Sequence, residues 1–309
     1  MTAPHCSSVA ERPPRRAKRS LGQNFLVDPN IQRKIIDALE PSAHDEVIEI
    51  GPGTGALTRR LAGTVGRLIA IEKDDALARE LDAELKASRC AAASGSTAAD
   101  AGVCGTTIVN ADAMDLDLGS LVDSIGAAKV VGNIPYNLTT PLLFKLLEPG
   151  RRAARLVIMV QKEVAERITA RAGEPEYGAL TVGIRSVADV ESLFVVGRGA
   201  FRPAPRVDSA VLRITPHRPP RLEPDEERDL RALTRATFGW RRKQLQRTLR
   251  DATDYRLDAR EVDALAERTG LDLARRPETL TPDDFIALGR ALRAAGRPTV
   301  HFVTDHDGR

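Results

Sequence analysis

Apolar residues recur along the chain in two periods, and the switching between them outlines the fold. From Ile31 to Leu39 they fall at helical spacing and stop before Pro41. "EVIEIG" (46–51) is short, apolar and β-branched, so it predicts a buried strand; glycines and a helical "ALTRRLA" (56–62) follow. The same succession repeats. "RLIAIE" (67–72) reads as a strand, "ALARELDAELKA" (76–87) as a helix, and "TTIVNAD" (106–112) and "AKVVGN" (128–133) as two more strands. "PLLFKLL" (141–147) is helical, "RLVIMVQ" (155–161) extended and "KEVAERITA" (162–170) helical, before "DVESLFVVG" (189–197) and "VDSAVLRIT" (207–215) complete a sheet. Strands alternating with helices predict an α/β domain whose sheet is mostly parallel and covered on both faces.

Breaks in composition divide the chain. Residues 1–17 read as a disordered basic tail, and the α/β domain runs from 18 to 216. The Ala-, Ser- and Gly-rich "ASRCAAASGSTAADAGVCG" predicts a flexible insertion at 86–105. "HRPPRLEPDEE" (217–227) reads as a linker. Helical patterns in "DLRALTRATF", "AREVDALAERTG" and "PDDFIALGRALRAAG" then predict a small helical domain over 228–295, with 296–309 as a tail.

Bulk properties narrow the function classes. Hydrophobic content of 42% with 29% charged residues is ordinary for a soluble globular protein, and no apolar run approaches a membrane span. The first twenty residues lack the apolar stretch of a secretory signal. Their arginines, with Glu11 as the one acid, are shared with organelle-targeting peptides, but Pro4, Pro13 and Pro14 fit a disordered tail better. Three cysteines and five scattered histidines form neither a disulfide framework nor metal-ligand spacing, so a reduced, metal-free, cytoplasmic protein is expected. The net charge of +3 decides little, but "RPPRRAKR" (12–19) and "WRRKQLQRTLR" (240–250) concentrate positive charge. Each is either a phosphate-binding surface or a solvated segment.

The candidate chemistry lies where strands end. "EIGPGTGAL" (49–57) places Gly51, Gly53 and Gly55 between a strand and a helix, where glycine permits a tight turn and close approach of a ligand to the backbone. Their spacing departs from the dinucleotide fingerprint, and no lysine follows them as an ATPase loop requires. Glu72 ends the next strand, where a carboxylate can accept both hydroxyls of a ribose, and Asp112 ends the third strand on the same edge. The alternative is that each acid merely caps a helix. Glycine turn and acids together resemble the class I S-adenosylmethionine-dependent methyltransferases, which have a Rossmann-like seven-stranded sheet. On the same edge stands "VVGNIPYNLTT" (130–140). Its Asn133 oxygen, with the Ile134 or Pro135 carbonyl, could grip the hydrogens of an exocyclic amine, and Tyr136 could stack on its base.

"KRSLGQNFLVDPNI", "EIGPGTGALT", "NADAMDLDL", "NIPYNLTTPLLFKLL", "QKEVAERI", "YGALTVGIRSVADVESLF", "FRPAPRVDSAVLRI" and "FGWRRKQLQRTL" follow one another in order. Over roughly residues 18–290 they resemble the ribosomal RNA small-subunit adenine N6,N6-dimethyltransferases of the KsgA type. That resemblance implies S-adenosylmethionine as methyl donor and no metal. It implies that Asn24 and Leu26 close over the donor. Gly51, in the turn it shares with Gly53, would face the methionine part, Glu72 the ribose and Asp112 the adenine. Asn133 would lie between donor and target amine, with Pro135 stiffening the backbone there. Phe201 would supply the stacking face opposite Tyr136, and Arg241, Arg242 and Lys243 would contact ribosomal RNA phosphates. The implied activity is dimethylation of two adjacent adenosines near the 3′ end of 16S ribosomal RNA, late in small-subunit assembly, by a monomeric cytoplasmic enzyme.

Some wording departs from the family. Ile134 replaces a commoner leucine, "RRKQLQRTL" replaces "RRKTLRNNL", and the 86–105 insertion and "ARAGEPEYG" bear on substrate docking. The alternatives are a large-subunit adenine dimethyltransferase of the antibiotic-resistance type, an assembly factor with dispensable catalysis and, more remotely, a DNA adenine methyltransferase.

Overall fold

Alternation within the strands builds the core on both sides of one sheet. In β5 (Lys129–Asn133) and β6 (Arg155–Gln161), Val130, Leu156, Ile158 and Val160 join one apolar cluster. Val131, Val157 and Met159 join another. Successive side chains of a strand point to opposite faces, so each strand requires helices above and below it. The structure, a computed structural model, describes residues 23–93, 105–135, 138–149, 152–240, 243–252 and 255–297.

The sheet has seven strands in the order β4 (Thr106–Asn110), β3 (Arg67–Glu72), β2 (Glu46–Ile50), β5, β6, β9 (Ser209–Pro216), β7 (Ala188–Val196). Of these only β9 runs against its neighbours. The chain works outward from β2 to β4 and then returns to β5 on the other side of β2. That reversal opens a crevice at the carboxyl ends of β2 and β5, where open α/β sheets bind ligands. The mostly parallel α/β sheet expected from the strand pattern is therefore present.

Helices α1 (Pro29–Leu39), α2 (Thr58–Leu61), α3 (Asp75–Ala93), α4 (Thr139–Leu146), α5 (Lys162–Thr169) and α6 (Ala179–Arg185) accompany the strands. Asp28 starts α1 by accepting the Asn30 and Ile31 amides, and Pro29 suits the first turn. Two segments differ from expectation. α2 is a single turn, because the glycine turn occupies the residues before Thr58. α3 continues through Ala93, so the first part of the expected 86–105 insertion is helix, and residues 94–104 lie outside the described residues. α6 has no strand-helix signature of its own. Leu180 to Ile184 are all buried, so it presents no polar face to set a period.

The C-terminal helices are α7 (Pro224–Phe238), α8 (Leu245–Asp251), α9 (Ala259–Thr269) and α10 (Pro282–Ala294). α7 begins inside the expected 217–227 linker, because Pro224 and three acids suit a helical first turn and Glu226 caps the Glu223 amide at 2.9 Å. Leu230, Leu233 and Phe285 share one apolar cluster with Ile48 and Leu156 of the sheet, so the helical segment does not keep a separate core. A buried ion pair between Arg152 and Glu227 crosses this junction, and Arg152 Nε also donates to the Leu147 carbonyl at 3.0 Å. The expected tails 1–17 and 298–309 lie outside the described residues. No described helix is long and apolar enough to cross a membrane.

Candidate active site

Strand register levels the ligand edge. Ile50 pairs with both Ile71 and Gly132, so Gly51, Glu72 and Asn133 emerge side by side. Gly132 is required for this approach: a Cβ there would stand 2.5 Å from the Ile50 carbonyl oxygen. Beyond β2 the chain turns through Gly53 at a φ of +57°, and the Gly53 amide donates to Glu72 Oε2 at 2.9 Å. The Asp74 amide donates to Glu72 Oε1 at 2.8 Å. Glu72 is 6% exposed. Burial raises its pKa, the Asp74 and Gly53 amides oppose that, and the negative charge of Asp74 adds to it. Each carboxylate oxygen keeps a second lone pair for a ligand hydroxyl.

Asp112 stands two residues past β4. Its Oδ2 accepts from Lys73 Nζ at 2.6 Å and its Oδ1 from the Met114 amide at 2.9 Å. Burial pushes its carboxyl up, but the Lys73 and Met114 bonds outweigh burial and hold it below the usual carboxylate range.

Asn133 is held by a strap, residues 23–26, that lines the same pocket. Its Nδ2 donates to the Asn24 carbonyl at 2.9 Å, so its oxygen faces away from the strap. The Pro135 carbonyl already accepts the Leu138 amide at 2.9 Å. The Thr139 hydroxyl also donates to the Pro135 carbonyl at 3.4 Å, whereas the Ile134 carbonyl accepts no backbone amide among the described residues and is the freer acceptor of the two. Tyr136 lies outside the described residues.

The strap itself is β1 (Phe25–Leu26), paired antiparallel with β8 (Phe201–Arg202). Leu26 and Phe201 face each other in this pair, and Phe201 is 0% exposed within the second apolar cluster. This corrects the stacking role expected of Phe201. Its ring is consumed in anchoring the strap and does not line the cavity. Phe25 does line it, lying where a Cβ on Gly53 would come within 3.0 Å.

Residues 15–288 match the family described as ribosomal RNA adenine dimethylase. The chain belongs to that family. It is 40% identical over 284 residues to the ribosomal RNA small subunit methyltransferase A of Geobacter sulfurreducens, covering 91% of this chain and 97% of that protein. The protein of the same name from Myxococcus xanthus is 38% identical over 278 residues, with 90% and 91% covered. Among solved structures, a dimethyladenosine transferase from Plasmodium falciparum superposes with a TM-score of 0.75 at 25% identity, covering 89% of this chain and 99% of that one. The 23S rRNA methyltransferase ErmE gives 0.64 at 26% identity, covering 87% and 100%.

This dimethylase uses S-adenosylmethionine, which supplies a methyl already activated on a positively charged sulfur. The cavity fits that donor. Gln23, Asn24 and Leu26 of the strap, Gly51 and Gly53 of the turn, and Glu72, Asp112 and Asn133 of the strand ends all line one space. Glu72 and Asp112 put carboxylate acceptors on its wall, and Glu49 adds a buried carboxyl whose Oε2 has no partner among the described residues. Gln23, Phe25, Glu49 and Lys73 also line the cavity and were not among the sequence candidates. Glu49 is the acid of the glycine-turn motif and Lys73 adjoins Glu72, so the signal for those two was present.

At the proposed RNA face, Arg241 and Arg242 lie outside the described residues. Lys243 sits over the exposed Trp240 ring at 3.7 Å and pairs with Asp251 at 3.3 Å.

Proposed function

We propose that this chain dimethylates the N6 amines of two adjacent adenosines near the 3′ end of 16S ribosomal RNA, late in small-subunit assembly. The observation that carries the chemistry is the acceptor pair at the end of β5: an Asn133 oxygen turned away from Asn24, beside an Ile134 carbonyl without a backbone partner among the described residues. The adenine amine is a poor nucleophile, because its lone pair is delocalised into the ring. Two acceptors on its hydrogens favour a pyramidal nitrogen and stabilise the charge that develops on it, an effect of about 3 kcal/mol per group in comparable sites. Tyr136 stacks on the base. The alkylated amine becomes acidic and gives its proton to water. Asn24 and Leu26 roof the donor, Gly51 and Gly53 pass its methionine part, Glu72 takes its ribose and Asp112 its adenine.

The choice of RNA is supported by identities of 37–40% to small subunit methyltransferases A along nine-tenths of both chains. The likeness to ErmE favours one rival, methylation of large-subunit RNA. Arg241, Arg242 and Lys243 contact RNA phosphates, and the enzyme works as a cytoplasmic monomer on the assembling subunit. Labelled methyl transfer to small subunits lacking the modification, followed by mapping of the labelled bases, tests the proposal. Label on two adjacent adenosines is expected; label only on large-subunit RNA overturns the reading.

A further inference from the structure

We propose that Glu49 matches the charge of the methyl donor: it stands neutral in the empty pocket, loses its proton as the cationic donor enters, and regains it once the methyl has left. The pocket thereby distinguishes the charged donor from its neutral product. This rests on the reading of the cavity as the S-adenosylmethionine site.

Glu49 is 1% exposed and lines the cavity one strand position before Ile50, and its Oε2 is unpartnered among the described residues. Its neighbours across the sheet are Ala70 and Val131, which offer it no charge. From α2 it faces Thr58, whose hydroxyl and amide both favour the carboxylate and whose hydroxyl has no closer partner among the described residues, and Arg59. Arg59 is engaged by Glu84 through bonds of 2.6 and 3.0 Å. From β3 it faces the carboxyl of Glu72. The strap contributes Phe25 and Leu26, which do not titrate. Farther along the cavity, Lys73 and Asp112 pair with each other.

Two desolvated carboxyls in one wall disfavour a second negative charge, and here the assignment is unequal. Glu72 is held by two backbone amides that favour its ionised form. Glu49 is more deeply buried, and burial, with the charge of Glu72, outweighs the Thr58 hydroxyl and amide and Arg59 and pushes it up to about 7. A group so poised changes state readily when a counter-charge arrives. On donor entry the Glu49 O–H bond breaks and its proton passes to solvent. After methyl transfer the sulfur is a neutral thioether, and the carboxylate takes a proton back from solvent. Ammonium and carboxylate groups are common to donor and product, so the sulfur charge alone distinguishes them.

Calorimetric titration of the full chain with S-adenosylmethionine, in two buffers of different ionisation enthalpy, counts the protons. At pH 6.5, where the donor's ammonium stays charged, roughly three-quarters of a proton should leave per donor bound, as follows from a group titrating near 7. S-adenosylhomocysteine should release much less. Donor affinity should tighten about fivefold from pH 6 to 7. Glu49→Gln should abolish both the proton release and that tightening, and should erode the preference for donor over product. Thr58→Val keeps the carboxyl but removes a hydroxyl facing it, so the tightening should move to higher pH; this variant keeps the test sharp should Glu49→Gln fold poorly. Zero release by the unaltered chain, or equal release with the product or with Glu49→Gln, overturns the proposal. Failure of the donor to bind at all instead overturns the assignment of the cavity.

Discussion

The Asn133 side chain donates to the Asn24 carbonyl at 2.9 Å, joining the reacting end of β5 to the strap over the pocket. A carbonyl only accepts, so this bond fixes which end of the amide faces the strap and which faces the cavity. Under the proposed mechanism, this bond ties the position of the amine acceptor to the strap that lines the donor pocket.

Two substitutions at Asn133 should separate those effects. Asn133→Ala removes the acceptor and should lower kcat by about 10²–10³, the usual loss for one preorganised group. Asn133→Asp retains an acceptor but opposes an oxygen to the Asn24 carbonyl, so donor affinity should fall roughly tenfold, as for a buried polar group left unpaired. Single-turnover methyl transfer beside equilibrium donor binding checks both. Unchanged donor binding in Asn133→Asp would show that the strap closes without this bond.

Gly132→Ala tests the sheet beneath the site. The added Cβ would lie 2.5 Å from the Ile50 carbonyl oxygen, between two central strands. The Ile50 backbone cannot yield without shifting Gly51, so a loss of about 2–3 kcal/mol of stability is expected. Denaturant unfolding should show a lower midpoint, and donor affinity should fall with it.

The ligand edge was legible because parallel strands buried on both faces appear as apolar runs, and because Gly51, Glu72 and Asn133 close three of them. The strap was less legible. A two-residue strand such as β1 carries no period, and its partner β8 lies far away in sequence. An aromatic two residues before a proline reads alike whether it lines a pocket or fills a core, and for Phe201 the pairing with Leu26 and full burial place it in the core. The boundary at 217–227 was misplaced for a related reason: its prolines suggest a linker, yet Pro224 is a favourable first residue of α7.

The Arg152–Glu227 pair should behave as a buried ion pair that joins the sheet to α7. Removing one partner, as in Glu227→Leu or Arg152→Met, strands the other charge in the core and should cost about 3–5 kcal/mol. The double substitution should recover much of that loss, since burial of apolar groups replaces burial of charges. A double-mutant cycle of denaturation midpoints measures the coupling; additive losses would mean that the two side chains act independently.

Lys243 lies on an exposed indole and is only partly neutralised by Asp251. If it contacts an RNA phosphate, Lys243→Ala should weaken binding to small subunits and reduce the salt-dependence slope by about one. Catalysis at saturating subunit concentration should not change. An unaltered slope would remove Lys243 from the RNA face.

Glu49 also sets a pH dependence of stability that can be measured without substrate. Its folded-state pKa, about 7, lies above the ordinary carboxyl value of 4.5. Between those values the folded chain holds a proton that the unfolded chain has released. The stabilisation is therefore complete below about 4.5 and is lost as pH rises through about 7. The separation corresponds to roughly 3 kcal/mol at full development, an order-of-magnitude figure for a wholly buried carboxyl. Glu49→Gln keeps the shape and cannot ionise, so it should raise the Tm of the ligand-free protein at pH 8 and leave it nearly unchanged at pH 5. Saturating S-adenosylmethionine should narrow the advantage at pH 8, because the donor's charge then stabilises the carboxylate of the unaltered chain. A Tm difference independent of pH would instead place the effect of the substitution in packing.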